Sequence, residues 1–389
     1  MKTIDLIAGA RPNFMKIAPI IRALQARQQS ADHPPSLSWR LVHTGQHWDR
    51  AMNEVFFEEL GIPAPDEQLG TGGATHAEQT ARVMVAYEAL CGRARPDCTL
   101  VVGDVNSTLA CALVASKLGI PLVHVEAGLR SGDRTMPEEI NRLAVDAVSD
   151  LFFVTEASGV ENLLAEGKSA SVIYEVGNVM VDNLFHQKSI LDSRAGACAP
   201  GEQGEWVAAF KQSLAKHKGS AYGRYAVLTL HRPANVDDPE VLRSLIGTVN
   251  RVAQQIPVAF PVHPRALSAL ERLGVELDPG VRLLPALSYM NFLDLWKDAL
   301  IVLTDSGGLQ EETTALGIPC LTLRENTERP LTISAGTNQL VGRDPERILS
   351  ALASCLERSR PPTFTVPRLW DGHAASRIVA VLETYLASA

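Results

Sequence analysis

The 389-residue chain is short of positive charge, with 36 Lys and Arg against 44 Asp and Glu and a formal net charge of −8. That balance argues against a nucleic-acid binder, so an anionic ligand must meet a local cluster of cations. No apolar stretch is long enough to cross a bilayer, and Met1-Lys2-Thr3-Ile4 runs straight into a strand pattern without an apolar leader. The expected location is therefore cytoplasmic, with no membrane partner. The six cysteines, Cys91, Cys98, Cys111, Cys198, Cys320 and Cys355, show no metal-type spacing and read as reduced packing residues. His43 and His47 are spaced like a helical zinc pair, but Gly45 and the strand-end position break that geometry, so no metal is expected. No glycine turn is followed by Gly-Lys-Ser/Thr, which argues against ordinary nucleotide hydrolysis, and no dinucleotide fingerprint calls for a cofactor.

What is present is an alternation of short branched-apolar runs with amphipathic helices. Strands are expected at 4–8, 39–43, 99–102, 122–125, 151–154 and 172–176, with helices at 48–60, 75–90 and 107–118 among them. Residues 192–222 then turn small, glycine-rich and charged, and read as a linker or an excursion around a domain boundary. A second series follows, with strands at 225–230, 257–262, 282–284, 300–303 and 320–323 and a terminal helix at 372–386. Two halves built alike predict an α/β protein of two doubly wound, Rossmann-like domains facing one deep cleft. Ligands in such sheets sit beyond the carboxyl ends of the strands.

Those strand ends are where the polar residues collect. In 300–312, LIVLTDSGGLQEE, a strand pattern reaches a glycine turn at Ser306, Gly307 and Gly308 and enters a helix carrying Glu312. Unpaired N–H groups and the positive end of a helix dipole suit a phosphate or nucleotide there. The stretch Gly9-Ala10-Arg11-Pro12-Asn13-Phe14-Met15-Lys16 has the outline of a second phosphate loop. Asp104 and Glu126 end two successive strands, and Glu138 opens a helix behind Met136-Pro137. His231 and His263 close strands in the second half. Taken singly, each stretch also fits a plain turn, a solvated charge or a dipole partner, and a strand-end histidine is more often a hydrogen-bonded structural group than a catalytic one.

Together they are far more specific. GARPNFMKIAP (9–19), HTGQH (43–47), GDVNSTLA (103–110), HVEAGLRS (124–131), MPEEINR (136–142), LHRPANVD (230–237), PVHPR (261–265), LTDSGGLQEE (303–312) and NTERP (326–330) occur in one order along the chain. In these segments the chain resembles the non-hydrolysing UDP-N-acetylglucosamine 2-epimerase family. The resemblance implies the GT-B arrangement, with 1–177 plus 371–389 as the domain carrying the catalytic acids and 178–370 as the UDP-binding domain. It implies Asp104, Glu126, Glu138 and His231 as catalytic residues. It places Arg11, Lys16, His231 and Arg329 around the diphosphate, Ser306, Gly307, Gly308 and Glu312 on the nucleotide, and Phe292 near uracil. The implied activity is reversible epimerisation at carbon 2 to UDP-N-acetylmannosamine, by elimination and re-addition of UDP through 2-acetamidoglucal. A branch acting on UDP-2,3-diacetamido uronates is the alternative, followed by a GT-B glycosyltransferase or a non-catalytic sugar-nucleotide binder. The expected partners are a UDP-sugar and a second copy of the chain in a homodimer.

Many bacterial members of that family also bind a second UDP-N-acetylglucosamine, and the resemblance assigns Gln46, Glu138, Arg232 and His263 to that pocket. Asp49, Gly73 and Pro233 stand where activated relatives carry an amide or basic residues, so weak or absent activation is expected.

Overall fold

Runs of branched and aliphatic residues extend into two parallel sheets in the computed structural model, which describes residues 1–29, 36–45, 57–73, 75–194, 202–214, 224–357 and 364–388. The first sheet holds β1 (Lys2–Ala8), β2 (Leu37–His43), β3 (Glu67–Gln68), β4 (Cys98–Val102), β5 (Leu122–Val125), β6 (Leu151–Val154) and β7 (Ile173–Glu175) in the order β3-β2-β1-β4-β5-β6-β7. The second holds β8 (Ala226–Thr229), β9 (Val258–Pro261), β10 (Val281–Leu284), β11 (Ile301–Thr304), β12 (Cys320–Thr322) and β13 (Asn338–Leu340) in the order β10-β9-β8-β11-β12-β13. Every pairing is parallel. β4 and β8 are buried almost throughout, because helices cover both faces of such sheets. Strand order reverses between β1 and β4 in one sheet and between β8 and β11 in the other, and the crevice of a doubly wound fold opens at that point.

The chain divides into two compact units, Met1–His186 with Arg368–Ala389, and Gln187–Pro367. The division falls inside the helix Val179–Ser193, later than the Gly177 suggested by the sequence. In the second unit the helix Pro239–Ala253 buries Leu242, Leu245, Ile246, Val249 and Val252, the spacing of one helical face, against Leu228, Phe260 and Leu303. In the first, Thr75 and Glu78 close a capping box on the helix His76–Arg93, which buries Val83, Tyr87 and Leu90.

Three expectations are corrected. The stretch 192–222 is not all linker, since Glu202–Leu214 is a helix that buries Val207, Phe210 and Leu214 at helical spacing. β3 and β13 were missed, being polar edge strands of two and three residues. Gly307 and Gly308 do not form a turn ahead of the helix, because the helix Gly307–Leu316 begins with them. Cys91, Cys98, Cys111, Cys320 and Cys355 are buried and unbridged, and Cys198 lies outside the described residues. Among the described residues no helix is long and apolar enough to cross a membrane.

Candidate active site

At the end of β1 the chain passes through Gly9 and Ala10 directly into the helix Arg11–Gln28. Asn13 shapes that passage: its Oδ1 accepts from the backbone N–H of Gly9 (3.1 Å) and Ala10 (3.0 Å), and its amide donates to the Val102 carbonyl at 3.0 Å. A Cβ on Gly9 would lie 2.1 Å from Ser107 Oγ and 2.5 Å from Thr44 Oγ1, so only glycine lets β1, β2 and the helix after β4 converge there. Arg11 is half-buried, and burial draws its guanidinium below its ordinary value against the pull of Glu59.

One turn into the same helix, Lys16 reaches the end of β5, where its Nζ lies 2.6 Å from Glu126 Oε2 with both side chains buried. The chain turns sharply at Glu126, which has a φ of 70° although it is not glycine. Strain of that kind persists where the surroundings over-determine it, and it collects at functional sites.

Asp104, at the end of β4, is bound by Arg142, whose other amino group lies 2.7 Å from Glu139 Oε2. Glu139 also accepts from the N–H of Ser131 (3.0 Å) and Gly132 (3.1 Å), tying the loop after β5 to the helix Pro137–Val148. Burial works against its charge, but the Ser131 N–H and Arg142 hold the Glu139 carboxyl below its usual range. Glu138, in the same first turn, is half-buried and makes no ion pair among the described residues. The three expected acids thus have three different neighbours: Glu126 a lysine, Asp104 an arginine, and Glu138 no cation.

The second unit supplies a different set. His231 follows β8, and its Nδ1 lies 2.8 Å from Asp305 Oδ1 at the end of β11. Asp305 is fully buried and also accepts from the N–H of Arg232 (2.9 Å) and the amide of Asn235 (3.1 Å). Burial would raise its carboxyl, yet the His231 ring and the backbone N–H groups of Arg232 and His231 hold it below the usual range. Nδ1 is therefore committed to Asp305, and Nε2 is the nitrogen left for a ligand.

Ser306 is the N-cap of the helix Gly307–Leu316 but makes no side-chain capping bond, so its hydroxyl is not engaged by the helix it opens. A Cβ on Gly307 would lie 2.7 Å from Arg329 Nη1, so this glycine makes room for a protein side chain. Arg329 is buried, with Nε 3.0 Å from Glu311 and Nη1 2.5 Å from Glu328. Burial opposes ionisation of Glu328, but Arg329 and Arg324 hold its carboxyl well below the usual range. Glu312 is buried and accepts from the Tyr289 hydroxyl at 2.7 Å. Burial, with Glu311 adding to it, pushes its carboxyl up to about 8. Phe292 is half-buried in the helix Tyr289–Trp296.

Of the residues assigned to a second nucleotide, Arg232 is half-buried and Gln46 lies outside the described residues. His263 is exposed, and its Nδ1 caps its own helix, Pro264–Leu273, by accepting from Arg265 N at 3.2 Å. His47 also lies outside the described residues, while His43 is buried and stacked on Phe14 with ring centroids 5.2 Å apart. Asp305, Arg142, Glu139 and Tyr289 were not singled out from sequence as site residues. Asp305 had a signal, being a carboxylate at a strand end like Asp104, and Arg142 and Glu139 lie within the quoted MPEEINR segment.

A family model described as UDP-N-acetylglucosamine 2-epimerase matches residues 29–383. A UDP-N-acetylglucosamine 2-epimerase of Methanococcus maripaludis is 38% identical over 366 residues, 92% of this chain and 93% of that protein. A UDP-2,3-diacetamido-2,3-dideoxy-D-glucuronate 2-epimerase of Pseudomonas aeruginosa is 38% identical over 385 residues, 98% of this chain and 99% of that protein. The crystal structure of the Methanocaldococcus jannaschii UDP-GlcNAc 2-epimerase with UDP-GlcNAc and UDP superimposes with a TM-score of 0.83 at 37% identity, covering 98% and 99% of the two chains.

Proposed function

The chain belongs to the UDP-N-acetylglucosamine 2-epimerase family, and we propose that it interconverts UDP-N-acetylglucosamine and UDP-N-acetylmannosamine by elimination and re-addition of UDP. The observation that carries this reading is the pair of strand-end carboxylates on adjacent strands β4 and β5, each held by its own cation, Asp104 by Arg142 and Glu126 by Lys16.

The chemistry explains why both acids and cations are needed. The hydrogen on sugar carbon 2 has no neighbouring carbonyl, so a carboxylate cannot remove it unaided. When the bond from carbon 1 to oxygen breaks, its electron pair leaves with UDP and positive charge develops on the ring. A carboxylate then takes the carbon-2 proton, and the C–H electrons form the double bond of 2-acetamidoglucal. Proton return to the opposite face and re-addition of UDP to carbon 1 give the epimer, with no net oxidation. Asp104, Glu126 and Glu138 are the proton-transfer groups in this scheme, each contributing about 100- to 10,000-fold. Arg11, His231 and Arg329 stabilise the leaving diphosphate. Ser306, Gly307 and Gly308 seat the nucleotide at a helix N-terminus, Glu312 accepts from the ribose hydroxyls, and Phe292 packs near uracil. Lys16 acts on the reaction through Glu126 as well as through charge. A cytoplasmic homodimer is the expected state.

A second reading, epimerisation of a UDP-2,3-diacetamido uronate, is favoured by the Pseudomonas aeruginosa relative, as identical to this chain as the Methanococcus maripaludis one at 38%. Each nucleotide should be supplied separately in deuterated water and followed by NMR. Conversion of UDP-N-acetylglucosamine with deuterium at carbon 2 of the product is expected. Unlabelled product would overturn the elimination mechanism, and conversion of the uronate alone would establish the second reading.

A further inference from the structure

We propose that His124 and Asp146 are a buried positioning pair that fixes the exits of β4 and β5, and with them Asp104 and Glu126, in register for proton transfer. The proposal rests on the epimerase reading above. His124 lies within β5 opposite Val101 of β4, and Asp146 lies on the helix Pro137–Val148. Both are fully buried, where an aliphatic pair would avoid the cost of desolvating polar groups.

Their bonds lead to the catalytic turns. His124 Nδ1 lies 2.6 Å from Asp146 Oδ1, and Nε2 lies 2.9 Å from the Gly103 carbonyl. A carboxylate and a carbonyl only accept, so both ring nitrogens face acceptors in this arrangement and each is placed to donate. Asp146 Oδ2 accepts from Gly128 N at 3.0 Å and from Arg130 at 2.8 Å. Burial would raise the Asp146 carboxyl, but His124 and Arg130 hold it below its usual range. One carboxylate therefore grips the β5 exit directly and the β4 exit through the imidazole. Asp104 is the residue after Gly103, and Glu126, with its φ of 70°, lies between His124 and Gly128. Gly103 itself has a φ of 63°, and a Cβ there would lie 2.7 Å from Lys16 Nζ, so holding Gly103 in place also seats Lys16 against Glu126. The other charged groups around the pair already have partners: Lys16 with Glu126, Arg142 with Asp104, and Arg130 with Glu166 as well as Asp146.

The test uses the full-length enzyme with His124→Gln, Asp146→Asn and the double variant. A displacement of about 1 Å at reacting groups costs roughly 100-fold, so kcat should fall by about that factor in each single variant. KM and UDP affinity should stay within about twofold, and free UDP with 2-acetamidoglucal should accumulate as proton return fails. Because both residues act through one link, the double variant should lose no more than either single one. In the wild type, side-chain NMR should show two ring N–H signals for His124, assigned by through-bond correlation from its own backbone amide. Folded variants with wild-type kcat, or with raised KM at unchanged kcat, would overturn the proposal, as would a single ring N–H. The ring signals decide the matter if a variant does not fold. A wild-type enzyme inactive on both nucleotides would sink the functional reading instead, leaving the ring signals alone to judge the pair.

Discussion

An ammonium and a carboxylate 2.6 Å apart and nearly out of water, as in Lys16 and Glu126, stabilise each other's charge and leave a large penalty if one is removed. Lys16→Met should therefore lower stability by about 3–5 kcal/mol, read as a fall in Tm. It should also raise the pH of the acid limb of the rate profile, because a carboxylate without its ammonium neighbour protonates more easily. An unmoved acid limb would show that Glu126 does not report on that limb. Glu312 makes the opposite case, a carboxyl pushed up to about 8 by burial and so largely protonated in the free protein at neutral pH. If the ribose hydroxyls need its carboxylate form, UDP binding releases a proton. The Kd for UDP should then fall about fivefold from pH 7 to 8 and level off above about pH 9. This window lies above phosphate titration near pH 6, so the nucleotide's own charge is constant. Calorimetry on Glu312→Gln should show a flat profile, and an unchanged slope would assign the proton elsewhere.

At the scale of elements, the terminal helix Ala374–Ser388 is tied to the first unit through Asp182, whose carboxylate accepts from Ala374 N at 3.1 Å and Ala375 N at 2.8 Å. Burial, only partly offset by those N–H groups, pushes Asp182 up to about 6 from an ordinary 3.8. The folded form thus binds this proton more tightly than the unfolded form. Its contribution is present below about pH 4 and is lost as pH rises through 6, on the order of 3 kcal/mol. Asp182→Asn keeps an oxygen for the helix N-terminus and removes the titration. Chemical denaturation of variant and wild type at pH 4, 5, 6 and 7 should give a stability difference that moves in favour of the variant as pH rises, and a constant difference would sink the assignment. Elements of this kind were readable from sequence wherever periodicity was strong, as in β4 and the helix His76–Arg93. They were not readable where the signal was short or mixed. β3 and β13 are edge strands with too few residues to show alternation, and the glycine and charge around Glu202–Leu214 hid the spacing of Val207, Phe210 and Leu214.

Across the whole molecule, the two sheets and the motif residues at their strand ends were legible, because each motif is a contiguous stretch at a predictable place in a doubly wound fold. Their partners were not, because folding brings them in from elsewhere: Asp305 is 74 residues from His231 and Arg142 is 38 from Asp104. The same distinction bears on the second nucleotide. A second diphosphate requires guanidinium or imidazole donors not already engaged, together with a surface that does not repel it. Arg265, next to His263, is paired with Asp237. Pro233 opens the short helix Pro233–Val236 where a basic residue would otherwise follow Arg232, and Gly73 contributes no side chain. The chain's charge of −8 adds a long-range penalty for another anion. Gln46 and Asp49 lie outside the described residues. UDP-N-acetylmannosamine supplied alone should therefore be converted from the first seconds without a lag, and the rate should depend hyperbolically on UDP-N-acetylglucosamine in the forward direction. A lag removed by trace UDP-N-acetylglucosamine, or a sigmoidal forward curve, would show that the remaining groups, Arg232 and Glu138 among them, suffice for activation.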